Sequence, residues 1–396
     1  MRLLPIQGPV DATPAGERKA RAMELTLTSD QELLRESTSR FIAGRCPLTT
    51  VRGLVDSHTG VPEGYLRAAA DLGWFALMVP EEQGGGNVSG DGVRDAALIA
   101  EERGRALQPG PFVSMNVVAA ALAASGPTEA QAALLAALCR GETVATWVPG
   151  DATADAGADG GITATPAGRD FELSGQADLV QDGTLADWLL VTAGSGDDLC
   201  QFLVRVVTPG LSVVPMSGHD ITQRFAAVTF DRVRVPTGSV VGERGGCRRV
   251  VERQLQLACV LSTAETIGAM DVLFEMTRAY ATERTAFGRA IGSFQAVKHQ
   301  LADMSLSLEA GKAIAVAAVR AVQAEQHDAG EIVSMAKAWV GDTGIDIAQG
   351  CFQIFGGIGY TWEHDLHLFL RRITMNSLLF GQPDWHRERI CRMHGL

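Results

Sequence analysis

The stretch ERTAFGRAIGSFQAVKHQLADM, residues 283–304, joins two segments that have helical periodicity. Arg284 ends the first segment, Gln295 opens the second, and Phe287 lies in the loop between them. An arginine offers a bidentate fork to phosphate oxygens, and an aromatic ring offers a flat apolar surface. The stretch therefore predicts either a loop that grips a pyrophosphate and a flat ring, or an ordinary capped hairpin between two helices.

A second loop of this kind lies downstream in CFQIFGGIGYTWEHD, residues 351–365. Gln353 precedes Gly356, Gly357 and Gly359, and glycines let backbone N–H groups approach a ligand closely. The pattern is not GxGxxG after a strand, so it does not indicate a Rossmann dinucleotide site. A glycine-rich helix break is the alternative interpretation.

Outward from these loops, the chain divides into regions of different character. Residues 1–22 are rich in Pro, Gly and charge and are predicted to be a disordered extension, which leaves Met1 or Met23 as the natural start. Helical patterns fill 24–140, short β-branched runs fill 141–240, and helical patterns return over 241–396. The predicted fold class is α+β, with an N-terminal helical domain, a central β-barrel or sandwich, and a C-terminal four-helix bundle. The predicted helices are 63–74, 91–106, 115–140, 250–283, 296–326, 330–354 and 364–380.

Composition excludes several function classes. The net charge of −12 over 396 residues argues against nonspecific nucleic-acid binding. The seven cysteines contain no CxxC pair, which argues against a disulfide framework or a zinc knuckle and favours the reducing cytoplasm. His364 and His367 are three residues apart but have no third ligand in view, so no metal site is predicted. No uninterrupted apolar run is long enough to predict a membrane span.

The two loops together resemble the acyl-CoA dehydrogenase family. The first reads R-x-x-F-G-x-x-I-x-x-F-Q followed by L-A-D-M, and the second reads Q-I-F-G-G-x-G-Y. The resemblance covers residues 24–390. It implies FAD bound between the subunits of a homo-dimer, a tetramer or a hetero-tetramer with a related chain, and it implies α,β-dehydrogenation of an acyl-CoA or another acyl thioester. In such a reaction a carboxylate takes the α-proton while the β-hydride goes to the flavin.

The resemblance also implies which residues hold the cofactor. One group would contact the FAD at a subunit interface, and another would meet its pyrophosphate or adenosine from the neighbouring chain. The first group is Arg284, Phe287 and Gln295, and the second is Gln353, Gly356 and Gly357.

The chain departs from the family at the catalytic base. Counted without a gap from the paired glycines, the family's Glu before a Gly falls on Phe380, before Gly381. Some relatives place the base on the first helix of the bundle, next to an Arg, and that position is Ala258, followed by Cys259. Neither position carries a proton acceptor of the required kind. The resemblance also implies that the arginine next to the base helps to hold CoA, and Cys259 stands in place of that arginine here.

The central domain departs from the family as well. The stretch that often reads T-E-P-x-x-G-S-D is TWVPGDATADAG here, residues 146–157, and K-x-W-I-T-N-G becomes ADLVQDG, residues 177–183. Hydroxyl donors to the flavin edge are therefore missing or replaced. Gln181 is the residue that could substitute in part.

Three carboxylates are candidates to replace the missing base. Glu252 precedes an Arg but lies six residues too early, about 9 Å along a helix. Glu265 lies two turns after Ala258 among apolar residues, where burial would raise the pKa of a base. Asp384 follows Pro383 and is interpreted as a turn residue.

These observations leave three hypotheses open. The chain is a competent FAD-dependent enzyme with a displaced base, with Glu265 and Glu252 as the candidates. Alternatively, it is a base-lacking subunit of a hetero-oligomer whose partner chain supplies the glutamate. Thirdly, it is a flavoprotein of the same fold that acts on a carrier-protein thioester or on a substrate that is not a thioester.

Overall fold

The computed structural model describes residues 27–55, 60–150, 161–194, 199–242 and 247–396. The extension predicted at 1–22, Met23, and most of the TWVPGDATADAG stretch lie outside the described residues.

The N-terminal region is helical, as predicted. A capping box between Thr28 and Gln31 starts its first helix. The helix predicted over 115–140 is divided in two, because Gly126 adopts a φ of 65° and a proline follows it. The helices are α1 Ser29–Arg45, α2 Leu48–Gly53, α3 Tyr65–Asp71, α4 Gly92–Arg105, α5 Phe112–Ala124 and α6 Glu129–Cys139.

The central region forms two open four-stranded sheets. One has the strand order β1-β4-β5-β8 and the other has the order β2-β3-β7-β6. The β1–β4 pair is parallel and the other pairs in the two sheets are antiparallel. The sheets are not closed into a barrel, so the sandwich prediction fits. The strands are β1 Ala145–Val148, β2 Thr163–Ala167, β3 Asp170–Gln181, β4 Trp188–Ala193, β5 Cys200–Arg205, β6 Leu211–Met216, β7 Phe225–Val235 and β8 Val240–Val241.

The C-terminal region is the predicted helical bundle with one further helix. Its helices are α7 Cys247–Glu283, α8 Gln295–Gln323, α9 Ala329–Phe355, α10 Leu366–Leu378 and α11 Pro383–Met393. A two-stranded ribbon, β9 Thr285–Ala286 with β10 Arg289–Ala290, lies between α7 and α8. The interpretation of Asp384 as a turn residue is wrong. Pro383 occupies the first turn of α11, where its missing N–H costs nothing, so Asp384 is helical.

Helix α7 is the centre of the molecule and packs against α4, α5, α8, α9 and α10. By length and composition alone it could cross a membrane, which the sequence argument did not anticipate. However, 83% of its most apolar window is buried inside this fold. That burial is typical of a core helix.

The seven cysteines form no disulfide bond among the described residues. Six of them are buried and are spread over all three regions, whereas Cys391 on α11 is exposed.

Candidate functional site

A cavity of about 720 Å³ opens where the three regions meet. Its walls come from the start of α5, from β1, from the end of β3 and from the turn between α10 and α11. Trp147, Gln181 and Phe380 are among the residues that line it. A cavity of this size with largely apolar walls and a few polar groups is the usual form of a small-molecule site. We call it the Phe380 cavity.

Phe380 presents a ring in this cavity. Its φ is 61° and that of Gly381 is 103°, so the chain turns sharply between α10 and α11. The ring stacks on Trp147, with centroids 6.3 Å apart and planes 12° from parallel. The Trp147 indole N–H donates to the Thr192 hydroxyl at 3.1 Å, which fixes the indole. A phenyl ring accepts no proton, so this position supplies no base.

Buried polar groups hold the turn in place. The Phe380 carbonyl accepts from His386 Nε2 at 3.2 Å and from the Cys259 thiol at 3.7 Å. Burial lowers the pKa of His386 to about 3, so its imidazole is neutral. Lys337 donates to the carbonyls of Asn376 and Ser377 at the end of α10, and burial lowers its pKa to about 8.

The sequence argument missed Lys337. The available signal was its position four residues after the buried Val333, on the apolar face of α9.

The polar wall of the cavity contains Gln181, which is 9% exposed. The Thr146 hydroxyl donates to its main-chain carbonyl at 2.6 Å. Its side-chain oxygen is buried and has no hydrogen-bond partner among the described residues. Gln181, which is a candidate from the sequence, therefore lines the cavity. Its side-chain oxygen is a hydrogen-bond acceptor without a donor among the described residues.

Glu265 lies elsewhere, in an ionic cluster buried between the three regions. Its carboxylate is 3.5 Å from Arg103 Nε and 4.0 Å from Arg372 Nη1. It is buried, as expected, but the expectation of apolar surroundings is wrong, because arginines from α4 and α10 fold against it. It is not among the residues that line the Phe380 cavity. Its proposed role as a base remains a prediction.

Glu252 is not among the residues that line the Phe380 cavity either. It forms an ion pair with Arg389 on α11 and accepts a hydrogen bond from Gln256 at 2.8 Å. It lines a second cavity, of about 1000 Å³, between the N-terminal helices, the start of α7 and the segment that follows the end of α8. The structure therefore does not bring Glu252 and Glu265 together at one site.

The alternative base position on α7 is buried and supplies no base either. Ala258 and Cys259 are both fully buried. Burial raises the pKa of the Cys259 thiol to about 11, so the thiol keeps its proton near neutral pH.

The carboxylates that do line the Phe380 cavity are exposed ones. They are Asp178, Asp384 and Glu388. Asp384 is paired with Arg387 at 2.8 Å. Asp384 is a candidate from the sequence, whereas Glu388 is not, because the sequence pattern did not predict α11.

The first loop, after α7, is solvent-exposed. Arg284, Phe287 and Gln295 are exposed, and Phe287 is 95% exposed with a φ of 52°. Arg284 extends the β9–β10 ribbon by one pair, because its main-chain carbonyl accepts a hydrogen bond from the Ile291 N–H at 2.8 Å. A phenyl ring left almost wholly in water costs about 2 kcal/mol relative to burial, so a partner surface would stabilise it.

The second loop lies at the same end of the bundle. The start of α8 runs beside the end of α9, and Gln300 Nε2 donates to the Gly350 carbonyl at 3.3 Å. Gln353 and Gly357 are exposed there, and Gly356 has a φ of 64°. A Cβ added at either glycine would meet nothing within 4 Å, so the space beside the backbone is open. We call the six predicted cofactor residues at this end the motif end.

The two histidines contact different neighbours. His367 stacks on Trp362 and approaches Arg52, whereas the His364 ring contacts Phe355. Among the described residues, no three His, Cys, Asp or Glu side chains are grouped as metal ligands would be.

Comparisons with known proteins cover most of the chain. The acyl-CoA dehydrogenase N-terminal domain model matches residues 28–142, and the C-terminal domain model matches residues 245–394. The acyl-CoA dehydrogenase IpdE2 of Mycobacterium tuberculosis is 30% identical over 93% of this chain and 98% of its own length. The acyl-CoA dehydrogenase FadE34 of the same organism is 33% identical over 92% of this chain, but the match spans 48% of FadE34.

Solved structures show the same architecture. A chain of the Tcur3481–Tcur3483 steroid ACAD is 27% identical, with a TM-score of 0.83 over 93% of this chain and 99% of that one. A chain of the ChsE4–ChsE5 complex from Mycobacterium tuberculosis is 24% identical, with a TM-score of 0.84 over 93% and 98%, and shares the fold. The chain therefore belongs to the acyl-CoA dehydrogenase family.

Proposed function

We propose that this chain is the base-lacking subunit of a hetero-oligomeric, FAD-dependent acyl-CoA dehydrogenase whose partner chain carries the catalytic glutamate. The observation that supports the proposal is the stacked pair of Phe380 and Trp147, because the gap-free count from the paired glycines puts the family's base at Phe380. A ring there, held by buried groups on α7 and α11, leaves no proton acceptor at that turn.

The displaced-base alternative is less well supported. Glu265 is paired with two buried arginines, and Glu252 with a third. Neither carboxylate is free to face a substrate, because each is already engaged by arginine side chains. The carboxylates that reach the cavity are Asp178, Asp384 and Glu388, and all three are exposed to water.

The residues of the motif end fit FAD. Arg284 presents an unobstructed guanidinium that suits a phosphate, and Phe287 presents an exposed apolar ring. The glycines at 356 and 357 leave room for a ligand against the backbone. FAD, when bound, supplies the hydride acceptor of the reaction. In this proposal the motif end grips FAD seated in the partner's cavity, so the subunit contributes binding and orientation.

The relatives support a two-chain enzyme. Tcur3481–Tcur3483 and ChsE4–ChsE5 are both named as pairs of chains. The first is named as a steroid enzyme, which makes a steroid-derived acyl-CoA the first substrate to test for the assembled protein.

The test compares the chain alone with the chain co-expressed with a related chain that has Glu at the gap-free base position. We expect a colourless protein alone, and a yellow complex that an acyl-CoA bleaches under anaerobic conditions. Arg284→Ala should lower the flavin affinity of the complex roughly tenfold, since a charged phosphate contact is lost. Arg278→Ala, which changes an exposed arginine near the end of α7, is the matched control.

Two outcomes would contradict the proposal. One is a chain that binds one FAD per subunit alone and bleaches with acyl-CoA. The other is a complex in which Arg284→Ala and Arg278→Ala retain equal amounts of flavin.

A further inference from the structure

Two of the buried cysteines, Cys200 and Cys247, lie side by side although they belong to different regions of the fold. Cys200 is the first residue of β5, and Cys247 is the first residue of α7. The Cys247 thiol donates to the Val241 carbonyl at 3.9 Å. Val241 pairs with Gln201 in the β5–β8 ladder, so the Cys247 sulfur lies at the edge where β5 begins.

The contact between the two thiols is direct. The side chains of Cys200 and Cys247 are within hydrogen-bonding reach of each other, and the Gln201 main-chain N–H is within reach of the Cys247 sulfur. Both cysteines are almost fully buried, with 4% of Cys200 and 2% of Cys247 exposed. Sulfur atoms that already touch can bond with little movement of the backbone.

Other buried cysteines have different neighbours. The thiols of Cys139 and Cys351 donate to the carbonyls of Phe75 and Leu273 at 3.7 Å and 3.8 Å. Thiols in such positions fill space as small apolar groups. The pair at the start of β5 and α7 differs from them, because two thiols in contact provide both halves of a cross-link.

The thiol pair lies beside the polar contact that joins β5 to α7. Gln201 Nε2 donates to Gln254 Oε1 at 2.7 Å, and Gln254 Nε2 donates to Gln201 Oε1 at 3.2 Å. Both amides are buried. A covalent bond at Cys200, the residue before Gln201, would hold the start of α7 to the sheet even after these hydrogen bonds had opened.

We propose that Cys200 and Cys247 form a reversible disulfide bond that ties the central sheet to the helical bundle under oxidising conditions. Disulfides of proteins in a reducing compartment are of this transient, redox-sensing kind. The inference does not rest on the proposed function, because it concerns a contact within one chain and not the cofactor or the partner.

The oxidant is a hydroperoxide, in the simplest case hydrogen peroxide. One thiolate attacks a peroxide oxygen, so that an S–O bond forms, the O–O bond breaks and the departing hydroxide takes up the thiol's proton as water. The second thiolate then attacks the sulfenic sulfur, so that the S–S bond forms, the S–O bond breaks and a second water leaves. The two sulfurs together lose two electrons, and the peroxide is reduced to two waters.

The test uses the full chain with Cys391→Ser, which removes the exposed thiol that could link two chains. The reduced protein is treated with hydrogen peroxide, unfolded, alkylated with N-ethylmaleimide and digested without reductant. We expect mass spectrometry to detect a linked peptide pair that joins Cys200 to Cys247. Treatment with dithiothreitol should release the two peptides.

Thermal unfolding measures the consequence of the bond. The cross-link closes the chain between residues 200 and 247 and so restricts the unfolded state, and oxidation should raise the melting temperature by roughly 5 °C. Cys200→Ala and Cys247→Ala should each abolish this rise. Cys351→Ala is the matched control and should retain it, because that buried thiol is hydrogen-bonded to a carbonyl.

Any of three results would overturn the inference. In the first, the thiols of Cys200 and Cys247 stay open to N-ethylmaleimide after peroxide treatment, or become separate sulfinic acids. In the second, the linked peptides join other cysteines. In the third, the oxidised protein melts no higher than the reduced protein, or the rise persists in Cys200→Ala.

Discussion

Asp182 is a carboxylate held at the centre of the protein, directly after β3. It is 2% exposed, and its backbone adopts a φ of 54°, which Asp and Asn tolerate better than most residues. Burial raises its pKa from 3.8 to about 7. Glu265 also acts to raise that pKa, whereas Arg103, Arg372 and Arg224 lower it.

The raised pKa of Asp182 predicts a pH-dependent stability. Between 3.8 and about 7 the folded protein retains a proton that the unfolded chain has lost. The stability contributed by this proton is complete below 3.8 and is lost as the pH rises through about 7. Asp182→Asn cannot ionise, so it should exceed wild type in melting temperature by more at about pH 8 than at about pH 5.

Thermal unfolding across this pH range measures the difference. Asp231→Asn, an exposed change, is the control. A constant difference between Asp182→Asn and wild type from pH 5 to pH 8 would show that the proton is not retained.

At the scale of elements, the crossing of α4 and α7 depends on two glycines. A Cβ on Gly104 would lie 1.9 Å from the Glu265 carbonyl oxygen, and one on Gly268 would lie 2.0 Å from that of Glu101. The backbones of the two helices are therefore in direct contact. This contact sets the position of α7, on which the rest of the bundle packs.

We expect Gly268→Ala to destabilise the protein by about 3 kcal/mol or more, because the helices must separate. Gly44→Ala is the matched control, since it is also a helical glycine but a Cβ there meets nothing within 4 Å. That control should be neutral or stabilising by up to about 1 kcal/mol. Urea unfolding measures both, and equal midpoints for the two variants would refute the crossing argument.

The elements were largely predictable from the sequence, and their contacts were not. Hydrophobic periodicity locates the long helices, because one face of each must be buried. Periodicity does not indicate which two helices have backbones in contact, so the role of Gly104 and Gly268 was not predicted. Helix α11 was missed because Pro383 was interpreted as a break, although proline is equally suited to a first helical turn.

At the scale of the whole molecule, Arg372 joins the three regions. It pairs with Asp220 at 2.5 Å, and it donates to the Thr222 hydroxyl at 2.7 Å. It also donates to the carbonyl of Leu107, after α4, at 3.3 Å, and lies 4.0 Å from Glu265 on α7. Arg372 and Asp220 have fully buried side chains, so each needs the other.

Arg372→Met should destabilise the protein by about 3–5 kcal/mol, because it leaves Asp220 buried without its partner. Arg371→Met, the neighbouring and more exposed arginine, should cost much less. The double variant Arg372→Met with Asp220→Leu should recover part of the loss. Calorimetry checks the three, and a double variant less stable than Arg372→Met alone would contradict the pairing argument.

The sequence predicted the three-region fold and the two loops of the motif end, but not the environment of individual site residues. Glu265 has apolar neighbours along the chain, yet Arg103 and Arg372 reach it from distant segments. Nothing in the adjacent pair Arg371 and Arg372 indicates which one is buried. Tertiary packing decides such questions, and local pattern does not encode it.

The distribution of the seven cysteine thiols lets the chain report on its own unfolding by chemical modification. Native protein should react at Cys391 alone, and the six buried thiols would be alkylated as the surrounding structure opens. Cys46 and Cys139 report on the N-terminal helices, Cys200 on the sheets, and Cys259 and Cys351 on the bundle. Brief alkylation pulses read by peptide mass spectrometry would therefore give the order in which the regions lose protection, without introducing a label.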